Sequence, residues 1–503
     1  MLKLNILQPQ NIGFHPRPNP EFNYPITPEN TKKVFENCAD FTVREVFAGA
    51  SEIKLFLCWL DGTVNTVSIA DLVLRPLTDP ARFGKPGTAE EAAARIEAGG
   101  IYAGAVRRTD SMDELAEALC FGHCAVIFNG MALLFEIRST LHRSVQEPTV
   151  EKSVKGSKDA FVEPIRVNTG LVRSRLHTPK LKLAHTVIGR KTRTRVSVMW
   201  LDGVAAPDLP PEVLRRLDSY DVDGAVLPDL IESCLCDAPN SPFPQLIHTE
   251  RPDRFAASLL DGRVGILVDG IPIGYLAPVT LPEFMRTNED LALHYLTASA
   301  IRAVRWLAFA ISLFLPAFYV ALSMYHAEMI PMKLLLSVID SKQYVPFSTA
   351  MEILGMLIAF ELLQEAGLHL PDPVGQTVSI IGALIVGQSA VEARVISPIA
   401  VIVVALAGIS GYTLPSQDLG SALRLCRFGL VGAAAVAGMF GIVTGAAFLL
   451  WHLCSIESFG RPYIASLADE RFAGSRAVFF RRPPWKDIYR DPAITGEDRR
   501  MRR

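Results

Sequence analysis

The sequence predicts a mixed α+β/α architecture: two tandem repeated cytoplasmic α/β domains followed by an all-α polytopic membrane domain. Two observations predict it. An internal repeat organises the first 300 residues, so that a strand ending at Asp61-Gly62 returns ending at Asp202-Gly203. After residue 300, but not before it, uncharged apolar runs reach the roughly 18 residues that a membrane helix requires. The whole chain of 503 residues is nearly neutral, with Lys+Arg 50 against Asp+Glu 52, and half hydrophobic. That balance excludes a globally basic nucleic-acid binder and a disordered chain. A wholly soluble enzyme is excluded by the second half.

Residues 1–30 form a polar, proline-rich tail without the charged-then-apolar order of a secretory signal. The first α/β domain spans 31–150 and the second 185–300 with a connecting helix. Lys54-Leu-Phe-Leu-Cys-Trp59-Leu-Asp61-Gly62 matches Arg195-Val-Ser-Val-Met-Trp200-Leu-Asp202-Gly203, and Gly122 to Gly130 matches Gly262 to Gly270. Each unit opens with an apolar strand and closes with a β-hairpin, for which Asn129-Gly130 and Asp269-Gly270 suit a type I′ turn. Helices fill the intervals: Thr88-x-x-Glu91 and Ser111-x-x-Glu114 read as capping boxes, and helices follow Pro210-Pro211 and Pro228. Between the units, 151–184 is a basic linking segment, read as the solvated face of a helix or as a surface for anionic lipid.

Eight scattered cysteines imply no disulfide framework. Cys120-x-x-His123-Cys124 and Cys234-x-Cys236 lack a second ligand pair at zinc spacing, so buried thiols are expected, with no metal and no cofactor. No hydrolase elbow, P-loop or dinucleotide fingerprint appears, so no enzymatic activity is expected.

The membrane domain is placed at 301–455. Trp306–Tyr325, Pro373–Val391, Val395–Gln417 and Phe428–Trp451 are each uncharged and long enough to cross. Small residues in the last (Gly432, Ala433, Ala434, Ala435, Gly438, Gly441, Gly445, Ala446) permit close helix approach in lipid. Arg302 and Arg305 before the first span, and the basic tail 456–503, place both ends in the cytoplasm. An even number of crossings follows: the four spans satisfy it if 329–365 is a re-entrant or interfacial element or contributes two short crossings, and the four-span arrangement turns Arg424 and Arg427 outward. Within this domain Glu352, Glu361, Glu365 and Gln388 are the candidate ion path, because carboxylates at bilayer depth need water, a partner or each other. Glu361 and Glu365 share a helix face, and Glu352 points to the other side. The alternative is that they lie at an interface, with Glu392 and Arg394 paired in a loop.

Several words in order resemble one family. They are Ser241-Pro242-Phe243-Pro244-Gln245, Thr249-Glu250-Arg251-Pro252-Asp253, Gly262 to Gly270 with Pro272, Phe360 to Gly367 with Leu370-Pro371 and Val374-Gly375, Ile381 to Gln388, and Ser458-Phe-Gly-Arg-Pro-Tyr463. The chain resembles the A subunits of GerA-type spore germinant receptors from about residue 36 onward, though Gly156-Ser157-Lys158 stands where the family tends to carry a Gly-Pro-Arg-like stretch. The resemblance implies a multi-pass subunit of the spore inner membrane. Its partners would be a transporter-like B subunit, a lipoprotein C subunit, further copies of itself and membrane lipids, with no nucleic acid. It further implies a role in nutrient-triggered germination through a gated cation-conducting pore. A membrane-anchored scaffold and a paralogue amplifying germination downstream of the receptors are the alternatives. For Pro242, Phe243, Pro244 and for Glu250, Arg251, Pro252, Asp253 the two readings are an intersubunit contact and a structural turn.

Overall fold

The computed structural model describes residues 21–102, 105–128, 130–139, 148, 151, 155–224, 227–368, 387–468, 476–483, 485, 489–491 and 494–501. Asn129, Gln376 and residues 373–386 of the expected span Pro373–Val391 lie outside them.

Two five-stranded antiparallel sheets occupy the first half. In the first, β1 (Phe41–Phe47), β2 (Lys54–Leu60), β3 (Val106–Thr109), β4 (His123–Phe128) and β5 (Met131–Glu136) lie in the order β1-β2-β4-β5-β3. In the second, β6 (Leu181–Ile188), β7 (Thr194–Leu201), β8 (Ile247–Thr249), β9 (Val264–Val268) and β10 (Gly274–Ala277) lie in the order β6-β7-β9-β10-β8. The strand orders coincide, and so does the register: Phe56 faces Ile127 in one sheet as Ser197 faces Leu267 in the other.

The central strands are apolar at nearly every position because each sheet is covered on both faces. Cys124, Val126 and Phe128 join one core of the first unit while Ala125 and Ile127 join the other. The second unit repeats this, with Ile266 and Val268 on one side and Leu267 on the other. Its first strand starts inside the interval expected to be a link, and Phe161 and Ile165 enter its core.

The expected type I′ turn is absent from the second hairpin. Only Gly270 has positive φ (84°), and residues 269–273 form a longer loop. The reason is a tertiary contact: Asp269 Oδ1 accepts from Ile165 N at 3.0 Å and Gly270 N donates to Glu163 O at 2.9 Å, which seats the start of the Ile165–Arg173 helix. In the first unit Gly130 N donates likewise to Ile26 O at 3.1 Å, just before the Pro28–Val34 helix.

The units are joined by backbone and by charge. Residues 37–39 pair with β6 through Leu183 N to Asn37 O at 2.9 Å and Ala39 N to Leu183 O at 2.8 Å. Arg173, wholly buried, forks onto Asp40 with Nε–Oδ2 at 2.7 Å and Nη2–Oδ1 at 2.8 Å. One arginine of the basic segment is thus an internal tie rather than a solvated charge.

The second half is helical, and its core is continuous with one core of the second unit. The Tyr295–Met324 and Gln417–Ser455 helices are apolar and long enough to span a bilayer. Between them lie the Met332–Lys342, Thr349–Leu368 and Pro398–Tyr412 helices. Phe428–Trp451 is not a single straight span. Gly438 takes φ 57° and ψ −135°, and the chain folds back there, so that a Cβ on Gly441 would stand 2.0 Å from Ala433 O and one on Gly445 2.7 Å from Leu430. The small residues expected to admit a neighbouring helix instead admit the second limb of the same hairpin. Carbonyls freed at the break find a donor, since Tyr325 Oη lies 2.6 Å from Ala435 O and 3.1 Å from Val436 O.

Candidate functional site

The polar residues of the helical half are held in pairs. Glu352, 2% exposed, accepts from Ser397 N at 2.9 Å, and its other oxygen lies 3.2 Å from Lys342 Nζ. Ser397 in turn caps the Pro398–Tyr412 helix. Glu352 therefore braces two helices against each other. Glu361, nine residues on and turned the other way, meets Arg424 Nη1 at 3.1 Å. Glu365 is exposed, and so is Gln388, which donates to Glu392 at 3.0 Å. The expected Glu392–Arg394 loop pair is replaced by Gln388–Glu392, while Arg394 lies over the Tyr344 ring at 4.4 Å.

Arg424 and Arg427 both find partners within the chain. Both lie on the first limb of the hairpin, where Arg427 is buried and donates to Ser312 Oγ at 2.9 Å.

Beside the α/β half these helices meet a second polar cluster, around Asp290. Asp290 is 1% exposed and closes a capping box with Thr287. Arg305 Nη1 reaches its two oxygens at 2.9 and 2.8 Å, and Arg302 Nη2 reaches one at 3.4 Å. Arg305 also donates to Met285 O at 3.2 Å. Arg481 of the tail donates to Leu293 O at 2.8 Å, and its own N–H donates to Ser299 Oγ at 3.0 Å. Burial alone would raise the Asp290 carboxyl, but the Arg305 hydrogen bonds and the two arginine charges hold it below the usual carboxylate range. Nearby Glu283 is half-buried; desolvation would raise its carboxyl, but Arg263 (3.1 Å) and Arg286 (3.0 Å) lower it to about 2. These residues tie the second unit, the first long helix and the tail into one junction. Sequence reasoning used Arg302 and Arg305 only as orientation signals; Thr287-x-x-Asp290 was the legible sign of a cap beside them.

Two of the family words touch. Tyr463 Oη donates to Pro244 O at 2.8 Å, Ser458 Oγ to Gln245 O at 3.2 Å, and Val279 N to Ser458 Oγ at 3.2 Å. Ser241 Oγ lies 2.9 Å from His452 Nε2, and the Phe243 and His452 rings are 6.0 Å apart. The stretch bends at Pro242 and Phe243, where Phe243 N donates to Ser241 Oγ at 3.3 Å. The segment Ser241–Gln245 is thus the seat on which the chain lands as it leaves the hairpin. The other end of the hairpin lands on the same unit: His248 of β8 lies 3.3 Å from Asp418 and 3.2 Å from Glu232. Burial pulls the His248 pKa down, but the Asp418 hydrogen bond and the two carboxylate charges outweigh it and hold the pKa above its ordinary value.

In the Thr249–Asp253 word, Arg251 is 2% exposed and forks onto Asp253 at 3.0 and 2.7 Å. Its remaining donors reach Ser157 O at 3.0 Å and Glu151 O at 3.3 Å, and Thr249 Oγ1 donates to Glu151 at 2.6 Å. Pro252 opens the Pro252–Leu260 helix, and the carbonyl of Glu250 accepts from Phe161 N at 2.7 Å. The word and the linking segment are bound together within one chain.

Among the described residues no group of three or more His, Cys, Asp or Glu converges as a metal site. Cys120 and Cys124 belong to different cores, on opposite faces of the first sheet, and burial pushes the Cys120 thiol up to about 12.

A family model described as Bacillus/Clostridium GerA spore germination protein matches residues 29–493. The chain belongs to the GerA family. It is 36% identical over 463 residues to the "Uncharacterized membrane protein YfkQ" of Bacillus subtilis (strain 168), covering 91% of this chain and 88% of that protein. It is 34% identical over 472 residues to "Spore germination protein KA" of the same organism, covering 93% of this chain and 86% of that one. The N-terminal domain of the A subunit of the Bacillus megaterium spore germinant receptor GerK3 aligns with 49% of this GerA chain and 91% of its own, at 28% identity and TM-score 0.37.

Proposed function

We propose that this chain is a membrane subunit of a spore germinant receptor, needed for nutrient-triggered germination. The carrying observation is the GerA match, which spans both α/β units, the helical half and much of the tail. In this reading the two α/β units are a tandem repeat on the cytoplasmic side. The first long helix leaves the second unit at the Asp290 junction, and the Gly438 hairpin crosses and returns to the same unit, which supports an even number of crossings in a multi-pass bundle. A transporter-like B subunit and a lipoprotein C subunit complete the complex.

Copies of the chain assemble around a cation path. Glu361, Glu365 and Gln388 form its wall, since Glu361 and Glu365 share a face and Glu365 and Gln388 are exposed in the single chain. Glu352 is withdrawn from that wall by Ser397 and Lys342 and serves as an internal brace. No catalytic step and no cofactor belong to this role. The specific observation favouring a scaffold instead is that Glu352 and Glu361 each already have a cationic neighbour within the chain.

The test is made in spores. Spores lacking the chain are expected to lose germination with at least one nutrient; an undiminished response to every nutrient contradicts the receptor assignment. Spores carrying Glu361→Gln with Glu365→Gln are expected to assemble the complex yet release cations slowly. Normal release from an assembled complex selects the scaffold.

A further inference from the structure

The second α/β unit lacks, within its own stretch of chain, a segment that the first unit makes for itself. In the first unit the chain continues past β5 and turns back along the loop after β2. Arg138 forms an antiparallel bridge with Val64, Ser139 N donates to Thr63 O at 2.9 Å, and Asn65 N donates to Ile137 O at 3.2 Å. Gly122 lies under this segment, where a Cβ would stand 2.9 Å from Thr63 O and 3.4 Å from Arg138 Cγ.

One repeat later the position of Val64 is taken by Ala205, and that of Gly122 by Gly262. Here the chain leaves β10 at Ala277 and enters the helical half. Yet the same place is filled. Ala205 forms an antiparallel bridge with Thr495, Gly496 N donates to Val204 O at 2.8 Å, and Asp498 N donates to Gly203 O at 2.9 Å. A Cβ on Gly262 would stand 2.9 Å from Thr495 Cγ2 and 3.1 Å from Val204 O, the same two neighbours in kind as at Gly122. Ile494 and Thr495 are buried. Arg490 staples the segment: its Nε donates to Leu260 O at 2.7 Å, and its Nη1 to Asp498 O at 2.8 Å and Arg500 O at 3.1 Å.

We infer that residues 489–491 and 494–500 belong to the closing edge segment of the second α/β unit, delivered by the C-terminal tail after the chain has passed through the helical half. The surface made by 203–206 and 260–262 binds this peptide through main-chain groups, as a sheet edge binds an added strand. The unit is complete only when the tail has docked. The basic character of the tail has a structural use here, since Arg461, Arg481 and Arg490 bind Asp208 or backbone carbonyls of the α/β half. Docking makes the tail a strap that holds the far end of the chain to the unit from which the membrane helices depart.

The experiment is amide hydrogen exchange on the full-length protein in detergent, comparing wild type with Gly496→Ala. A Cβ on Gly496 would stand 2.7 Å from Ala205 O, while its backbone φ is not positive, so the substitution blocks docking without straining a free tail. Wild type is expected to protect 494–500. In G496A this segment should exchange at least about tenfold faster, as the loss of two main-chain hydrogen bonds requires, while β9 stays slow. An unprotected tail in wild type, or a G496A tail as protected as wild type, overturns the inference. If G496A exposes β9 as well, Arg490→Ala, which removes only the side-chain staples, decides by the same criterion.

Discussion

Removing Arg173 tests how the two α/β units are held together. The guanidinium is fully buried and makes two charge-assisted bonds to Asp40, whose side chain is 4% exposed. An exposed ion pair contributes about 0–1 kcal/mol, but breaking a buried one leaves a desolvated charge behind and costs about 3–5 kcal/mol. Arg173→Met keeps the aliphatic bulk and abandons Asp40. At roughly 2–4 °C per kcal/mol for a body of this size, the unfolding midpoint falls by about 6–20 °C. Asp40→Ala combined with Arg173→Met removes both charges, while the backbone carbonyl of Asp40 still accepts from Asp61 N at 2.8 Å. The double variant is therefore expected to lie closer to wild type than Arg173→Met alone, because no orphaned carboxylate remains. Thermal unfolding in detergent, followed by circular dichroism, reads both. A shift below about 4 °C for Arg173→Met, the range of an exposed pair, or a double variant worse than the sum of its singles, contradicts a buried tie.

Two more expectations follow from local geometry. Gly441→Ala places a methyl 2.0 Å from Ala433 O and should abolish the fold-back, seen as loss of monodisperse protein in detergent, whereas Gly432→Ala, with nothing within 4 Å, should be neutral. Equal behaviour of the two variants contradicts the hairpin. The His248 contact should weaken as pH rises: with the folded pKa raised, its contribution is full below the ordinary value of about 6.5 and is lost as pH passes the folded value. Exchange protection of the first turn of the Gln417–Ser455 helix should therefore fall as pH rises above about 6.5, and His248→Gln should remove that dependence; an unchanged pH profile in the variant counts against it.

The α/β half was legible because its signals are local. Trp59-Leu-Asp61-Gly62 and Trp200-Leu-Asp202-Gly203 mark equivalent strand ends, and a strand covered on both faces must be apolar throughout. What joins the units was not legible, since Asp40 and Arg173 are 133 residues apart and each alone reads as a surface charge. The helical half divided in the same way. Hydropathy located Trp306–Tyr325, but it cannot register a reversal inside an uncharged run, so Phe428–Trp451 read as one crossing. Its glycines carried the missing information, because a backbone approach such as that of Gly441 to Ala433 admits no side chain. Glu352, Glu361 and Glu365 stand out in the sequence as carboxylates within apolar stretches. That Ser397, Lys342 and Arg424 supply partners to Glu352 and Glu361 depends on helix placement, which composition does not encode.

The most direct test of the proposed role is conductance of the purified full-length chain reconstituted into lipid bilayers. Cation-selective current from an oligomer is expected, reduced by Glu361→Gln and left intact by Gly432→Ala. A monodisperse monomer that passes no current would contradict it.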